Sequence, residues 1–213
     1  MLRPGIIAVV LAALVAGEGA GQLKSGKADA KKLTPAEEEA IAVEAVIALG
    51  GRILRSGDGA RSPIVEVVLI GTGANDRSLK ELAVLKQLKT LTLTGTKITD
   101  YGLKELPALK SLERLRLDKT AVTDKGMKEL AKMKQLQVLV LTGTKVTDAG
   151  VKELTALRQL EALLLNSTGI TDAGAKHLAR FQQLKVLELR DTRITNGGLE
   201  DLRRALPECE VYR

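Results

Sequence analysis

Hydrophobic positions recur along this chain in units of 24 residues. The clearest unit, residues 88–111, reads LKTLTLTGTKITDYGLKELPALKS. Self-similarity at a fixed period of this size is typical of repeat architectures, in which each copy forms one small structural unit. Four further units follow without insertion or deletion and a weaker one precedes them, so that the units begin at Ile64, Leu88, Leu112, Leu136, Leu160 and Leu184.

Each unit contains two hydrophobic periods. In the clearest unit, Leu91 and Leu93 alternate with threonines, which predicts a strand with one buried face. Leu103, Leu106 and Leu109 then recur every three residues, which predicts a short helix. One unit cannot bury both stripes alone, so the units should stack, with strands about 4.8 Å apart and helices about 10 Å wide. Because the strand side is narrower, the stack should curve with its strands on the concave face.

These residues resemble the leucine-rich-repeat superfamily. The pattern L-x-x-L-x-L-x-x-T-x-I-T-D-x-G-L-x-x-L, over residues 64–207, is similar to the variant in cysteine-containing F-box-type repeats and in many bacterial secreted repeat proteins. The resemblance implies an α/β fold, a right-handed leucine-rich-repeat solenoid (horseshoe) with parallel strands on the concave face and helices on the convex face. It implies little about the ligand.

One column departs from the family, which usually has Asn or Cys where this chain has threonine. A hydroxyl can donate and accept, so we expect it to satisfy backbone groups in the turn after each strand. A catalytic or glycosylated threonine row is the alternative. The column comprises Thr72, Thr96, Thr120, Thr144, Thr168 and Thr192.

Three further columns predict the start of each helix. Threonines such as Thr123 are good N-caps, and the aspartates that follow them would lie in the first helical turn, where the helix dipole favours a carboxylate. A glycine two residues later would let the helix begin close to its neighbour. A calcium-binding row of aspartates is the alternative, although each site would have too few ligands. The aspartates are Asp76, Asp100, Asp124, Asp148 and Asp172, and the glycines are Gly102, Gly126, Gly150, Gly174 and Gly198.

Residues 1–20 predict a secretory signal peptide. Arg3 precedes an apolar run from Gly5 to Val15, and small residues follow. The run is shorter than the roughly 20 residues that cross a bilayer. We therefore predict an exported protein, located in the periplasm, at the cell surface or secreted. The alternative is a protein held in the membrane by an uncleaved N-terminal anchor.

The remaining segments predict a linker and two caps. Residues 21–33 are lysine-rich and polar, which is typical of a flexible linker. Residues 34–63 should form an N-terminal helical cap, because Thr34 and Pro35 begin a helix and Gly50 ends it near Leu49. Arg52 to Arg55 is a possible strand. Residues 208–213, after Pro207, predict a C-terminal cap strand. The cap helix offers Ile41, Val43, Val46, Ile47 and Leu49 for packing.

The composition is consistent with stacked layers and argues against a nucleic-acid partner. Apolar residues make up 45% of the chain and aromatic residues only 1%, so the core must consist of aliphatic side chains. The net charge of +7 permits contact with anionic surfaces. However, Lys104-Glu105 and its counterparts place both signs on the helical face, whereas a nucleic-acid site is one-signed and aided by aromatic residues.

Candidate catalytic groups are few. His177 and Cys209 are the only histidine and cysteine, so no intrachain disulfide is possible. His177 is expected on an exposed helical surface and Cys209 as a buried apolar residue. This sequence suggests no usual zinc site, no pairing of a nucleophile with a histidine base and no phosphate-binding glycine loop. We predict no enzyme, no cofactor and no metal.

The third, fifth and seventh residues of each unit point out of the predicted strands and are the candidate binding residues. Across the later units they form an apolar centre with charged flanks, which is typical of an interface. The alternative is that β-branched side chains stabilise neighbouring strands laterally. The apolar residues are Val138, Val140, Ala162, Leu164 and Val186, and the charged residues are Arg114, Arg116, Glu188 and Arg190.

The predicted function is a non-catalytic, protein-binding scaffold of an exported, bacterial-type leucine-rich-repeat protein, with the ligand on the concave strand face. The alternative is a structural component of the cell envelope that acts by self-association. The sequence does not identify the protein partner or the oligomeric state. It predicts a membrane contact only through an uncleaved signal anchor.

Overall fold

The computed structural model describes residues 33–59 and 61–213. The predicted signal peptide, residues 1–20, and residues 21–32 of the predicted linker lie outside the described residues. In the described part of the chain, no helix combines the length and the hydrophobicity needed to cross a bilayer.

The first described element is helix α1, Pro35–Ala48. A capping box begins it: the Thr34 hydroxyl accepts a bond from the Glu37 N–H (3.3 Å), and the Glu37 carboxylate accepts one from the Thr34 N–H (2.7 Å). Ala42 and Val46 are buried against the first repeat. The sequence predicted that Val46 and Ile47 would both be available for packing, and for Val46 this is confirmed. For Ile47 that hypothesis is wrong. This side chain is 61% exposed, because only the helix face of Ala42 and Val46 turns toward the core.

Strand β1, Arg52–Arg55, confirms the strand suggested after the cap helix. It pairs antiparallel with β2, Ile64–Val68, and places Leu54 opposite Glu66. Ile53 packs partly buried against the core beside Val67. The first strand therefore runs against the direction of all the others.

The six repeat units each contribute a strand and a helix, and their strands β2–β7 form one sheet of eight strands together with β1 and β8, in chain order. From β2 onward every pairing is parallel, and each residue pairs with the one 24 positions later, as in Leu91 with Leu115. After β2 the elements are α2 Asp76–Leu82, β3 Thr90–Thr92, a 3₁₀ helix Gly102–Ala108, β4 Arg114–Arg116, α3 Asp124–Leu130, β5 Val138–Val140, α4 Asp148–Leu154, β6 Ala162–Leu164, α5 Asp172–Leu178, β7 Val186–Glu188, α6 Asn196–Ala205 and β8 Glu210–Tyr212.

The core lies between the sheet and the helices. Equivalent leucines stack from unit to unit, and each is removed completely from water, which contributes about 2 kcal/mol per side chain. Phe181 is the one aromatic residue in the core of the described chain. The stacked strand leucines are Leu91, Leu115, Leu139, Leu163 and Leu187.

The helix of the second unit departs from the prediction. It is a 3₁₀ helix, and Tyr101 at its N-cap makes no side-chain capping bond, although the Tyr101 N–H donates to Thr99 Oγ1 at 3.2 Å. Pro107 explains the difference because it has no N–H. At the equivalent place in the next unit, the Ala131 N–H donates to the Met127 carbonyl four residues back, at 2.9 Å.

The threonine column has the predicted structural role. Each hydroxyl donates to the carbonyl oxygen three residues earlier in its own unit; Thr96 donates to Leu93 at 2.6 Å and Thr120 to Leu117 at 2.7 Å. These carbonyls lie in the turn after the strand, where water cannot reach them easily. The bonds lie within a unit and do not link neighbouring units.

The aspartate column links neighbouring units, a role that the helix-dipole argument did not predict. The Asp100 carboxylate accepts bonds from the Thr123 N–H and hydroxyl, both at 2.7 Å, and from the Gly126 N–H at 3.1 Å. Gly126 has no room for a side chain, because a Cβ there would lie 2.6 Å from the same carboxylate oxygen. Ser78 occupies the glycine position of the first unit. Its side chain has room there because the aspartate column begins at Asp76, so that no earlier aspartate lies against it.

Candidate binding surface

The strand face consists of the side chains that point away from the core along β1–β8 and at the second residue after each repeat strand. The parallel register places equivalent residues side by side, so that the face is built of rows that cross the sheet. The first row is Glu66, Thr90, Arg114, Val138, Ala162 and Val186, the second is Val68, Thr92, Arg116, Val140, Leu164 and Glu188, and the third is Ile70, Thr94, Asp118, Thr142, Asn166 and Arg190.

The register brings the predicted apolar residues together. Val138 pairs with Ala162, and Ala162 pairs with Val186, so these three lie side by side and are half-buried. Leu164 lies in the second row and is also half-buried. These four residues are therefore neighbours on the strand face.

Val140 is not an accessible member of this group. It points out of the sheet, yet it is only 2% exposed. Its partners on the two neighbouring strands are Arg116 and Leu164, whose longer side chains leave little of a valine in contact with water. Val140 therefore offers almost no surface of its own to a partner.

The arginine flank is exposed and partly held by acidic neighbours. Arg114 and Arg116 are both exposed on β4. Arg116 Nη2 lies 3.2 Å from the Asp118 carboxylate, and Arg114 Nη1 lies 3.8 Å from that of Glu113. Asp118, an outward position, is buried, and it also accepts a bond from the Thr94 hydroxyl at 3.0 Å. These bonds hold the guanidinium of Arg116 in one place on the face.

The opposite flank is organised by Asn166. Its side-chain N–H donates to the Glu188 carboxylate, and its carbonyl oxygen accepts from the Arg190 N–H at 2.8 Å. Glu188 is half-buried and Arg190 is exposed. Asn166 therefore fixes Glu188, while the Arg190 side chain extends into solvent beyond β7.

The structure adds three exposed hydrophobic residues that the predicted patch left out. Leu54 is 56% exposed, Ile70 is 58% exposed and Tyr212 is 41% exposed. Leu54 lies opposite Glu66 and Tyr212 opposite Glu188, so both belong to the strand face. Ile70 was already an outward position by its place in the unit. Leu54 could have been found only by assigning an antiparallel partner to β1.

Comparison with known proteins agrees with this geometry. The family model described as leucine-rich repeat matches residues 108–131. The fold is similar to that of an internalin (inlF) from Listeria monocytogenes, with a TM-score of 0.54 and 22% identity over 62% of this chain. This chain has the fold of a leucine-rich-repeat solenoid.

A second structure of the same fold is internalin C2, also from Listeria monocytogenes. Its TM-score is 0.54 and its identity 21%, and the match covers 81% of each chain. This chain spans only 36% of the first internalin's length. None of the curated proteins compared matches it by sequence.

The groups that could support chemistry lie away from the strand face of this solenoid. His177 is half-buried on α5 rather than exposed, and its Nδ1 is covered by neighbouring atoms and lacks a hydrogen-bond partner among the described residues. Burial raises the pKa of the Cys209 thiol, with a smaller effect of Glu210, so that the reactive thiolate is disfavoured. Within residues 33–59 and 61–213, no three His, Cys, Asp or Glu side chains are arranged to hold a metal ion.

Proposed function

We propose that this protein is a non-catalytic scaffold that binds a protein partner on its strand face. Solenoids of this kind present an extended surface that their curvature shapes for binding. The observation that carries the proposal is the half-buried row of Val138, Ala162 and Val186. Exposed arginines on β4 flank this row on one side, and Glu188 on β7 and the following Arg190 flank it on the other.

This arrangement fits an interface because the row leaves part of its apolar surface in water. The scaffold requires the inward leucines but does not require apolar residues at these outward positions, which are threonines in β3 and arginines in β4. A partner that covered the row would remove the remaining apolar surface from water at about 25 cal/mol per Å². The charged flanks would orient that partner, since polar rims act mainly on specificity and association rate.

The proposal includes export. Residues 1–20 carry the order of charged, apolar and small residues of a signal peptide, and a leucine-rich-repeat surface on an exported protein would meet partners outside the cytoplasm. In this domain organisation, residues 34–63 and 208–213 are caps that protect the ends of a repeat stack at 64–207.

The decisive experiment is capture of a partner from an extract of the native cell envelope by the purified protein. The test variant carries Val138→Asp and Leu164→Asp, which place two carboxylates in the apolar centre. Neither side chain belongs to the fully buried core, so the fold should persist, and circular dichroism with a thermal unfolding curve checks this. We expect the variant to lose the partner that the wild type captures.

A matched control carries Ala149→Asp and Ala173→Asp. These alanines are exposed in the first turns of α4 and α5, where the helix dipole favours a carboxylate, and the change in charge is the same. We expect the control to capture the partner as the wild type does. Equal capture by the strand-face variant would show that this surface is not the binding site.

Self-association in the envelope is the second candidate, and the ends of the sheet are the observation that favours it. The outer edges of β1 and β8 pair with no other strand in the described part of the chain, and such edges can pair with another molecule. Light scattering over a range of concentrations distinguishes the candidates. A concentration-dependent oligomer supports self-association, whereas a constant monomer supports the scaffold.

A further inference from the structure

An open cleft of about 720 Å³ lies at the C-terminal end of the solenoid. Three separate segments form it: the turn after β7, helix α6 and the residue that follows β8. Polar and positively charged side chains dominate its wall, which the apolar row of the strand face does not reach. The lining residues are Arg190, Asp191, Thr192, Asn196, Leu199, Arg203 and Arg213.

The side chains that line the cleft carry a net positive charge. Its wall carries the guanidinium groups of Arg190, Arg203 and Arg213 and a single carboxylate, that of Asp191. Within residues 33–59 and 61–213, none of the three arginines forms an ion pair with a carboxylate. Arg204, on another side of the same helix, does pair with Asp201, at 3.1 Å. Of the two arginines on α6, the one that lines the cleft, Arg203, is therefore the one without an ion pair.

Two of the arginines are held by neutral acceptors. Arg213 Nη1 donates to Asn196 Oδ1 at 2.6 Å, and Arg203 Nη2 donates to the Val211 carbonyl oxygen at 3.4 Å. Each guanidinium has five N–H donors, so most of them remain available to a ligand. Neutral partners position the side chains without cancelling their charge.

The start of α6 differs in one residue from the starts of α3, α4 and α5. The residue that begins the helix is Asn196, whereas Asp124, Asp148 and Asp172 begin α3, α4 and α5. Those carboxylates accept bonds from the next unit, but no further unit follows α6 in the described chain. The first turn of α6 contains no acidic residue of its own, and the Asp172 carboxylate of the preceding unit bonds to the Thr195 N-cap.

We propose that this cleft binds a phosphate group. Three guanidinium groups around one opening match a tetrahedral dianion, because each fork can donate two parallel bonds to phosphate oxygens. The proposal does not depend on the proposed partner site, since Arg203 and Arg213 lie outside the strand face and only Arg190 borders both.

The test is titration of the purified full-length protein with inorganic phosphate at constant ionic strength near neutral pH, with chloride as the reference anion. Two-dimensional ¹H–¹⁵N NMR should show saturable shifts that are largest for the amides of Thr192, Asn196 and Leu199. Sulfate, which has the same shape and charge, should compete for the same site. An absence of saturable shifts with phosphate, or failure of sulfate to compete, would overturn the proposal.

The test variant carries Arg203→Gln and Arg213→Gln and should weaken phosphate binding by about tenfold or more, because two charge-assisted contacts are lost. The control, Arg193→Gln combined with Arg180→Gln, removes the same charge from exposed arginines that do not line the cleft. We expect its affinity to stay within about twofold of the wild type. If the control lost as much phosphate affinity as the test variant, the effect would come from net charge alone, and the proposed phosphate site in the cleft would be contradicted. Unfolding midpoints of both variants confirm that the fold is intact.

Discussion

The Asp124 carboxylate forms hydrogen bonds with Thr147, the N-cap residue of the helix in the next repeat. Asp124 Oδ2 accepts a bond from the Thr147 hydroxyl at 2.6 Å, and Oδ1 accepts from the Thr147 N–H at 2.7 Å and the Gly150 N–H at 3.0 Å. Thr147 in turn caps α4 by accepting from the Ala149 N–H. One carboxylate thus satisfies the Thr147 N–H, which has no partner within the helix, and shares the Gly150 N–H with the Thr147 carbonyl oxygen at 3.0 Å.

Replacing this carboxylate should destabilise the stack. In Asp124→Ala the donors of Thr147 and Gly150 lose a charged acceptor, and we expect the free energy of unfolding to fall by about 2 to 3 kcal/mol. Urea unfolding followed by circular dichroism measures the change. The control is Asp201→Ala, which removes an exposed carboxylate from a surface ion pair with Arg204 and should cost less than about 1 kcal/mol. Equal effects would show that the contact between units is not special.

Two adjacent glycines in the last unit should respond differently to alanine. A Cβ on Gly198 would overlap the Asp172 carboxylate, with Cγ only 2.8 Å away, whereas a Cβ on Gly197 would have its nearest neighbour at 3.7 Å. We expect Gly198→Ala to lose about 1 to 3 kcal/mol of stability from overpacking. Gly197→Ala should be neutral or stabilise α6 by up to about 1 kcal/mol. Urea midpoints with equal slopes test the pair, and equal loss at both positions would contradict the packing argument.

Lys119 occupies a left-handed turn position that the neighbouring units give to glycine. Its φ is +53°, and the equivalent residues Gly95 and Gly143 both have φ +67°. A left-handed conformation costs an L side chain roughly 1 to 2 kcal/mol, which exceeds the entropic cost of glycine. Lys119→Gly should therefore stabilise the protein by a few tenths to about 1 kcal/mol.

The matched control is Lys145→Gly, which makes the same substitution at an exposed residue outside the set with positive φ. There glycine brings only its entropic cost, and we expect a loss of about 0.5 to 1 kcal/mol. Thermal unfolding compares the two variants. A decrease in stability for both would mean that Lys119 is not strained.

The Asp172 carboxylate should make stability depend on acid pH. The N–H and then the hydroxyl of Thr195 lower its pKa below the ordinary 3.8, with help from Arg213 and Lys176 and against a smaller effect of burial. Because the folded-state pKa is depressed, the stabilisation is complete above the unfolded-state pKa and is lost as the pH falls through the folded-state pKa.

The measurement is the difference in urea midpoint between the wild type and Asp172→Asn, followed from about pH 6 to about pH 2.5. We expect the wild type to be more stable at the upper end and the difference to shrink below pH 3.8. A difference that stays constant across this range would contradict the assignment of the interaction to the ionised carboxylate.

The sequence by itself determined the period, the strand and helix of each unit and the identity of the core. Leu91 and its counterparts lie inward because a strand that alternates apolar and polar residues has only one face to hide from water. The threonine column was also readable, since Thr96 bonds to Leu93 three residues away in the same unit. Such features are local, or they repeat so regularly that one unit describes the next.

Only the tertiary structure decided what happens between units. The exposure of Val140 depends on the lengths of Arg116 and Leu164, which lie 24 residues away on either side. The bond from Asp124 to Thr147 exists because two helix starts meet across a gap that only glycine leaves open. The cleft at Arg190, Arg203 and Arg213 forms where the turn after β7, helix α6 and the residue after β8 come together. Periodicity states which side chains leave water, but the neighbours that surround each of them are set by how the units pack.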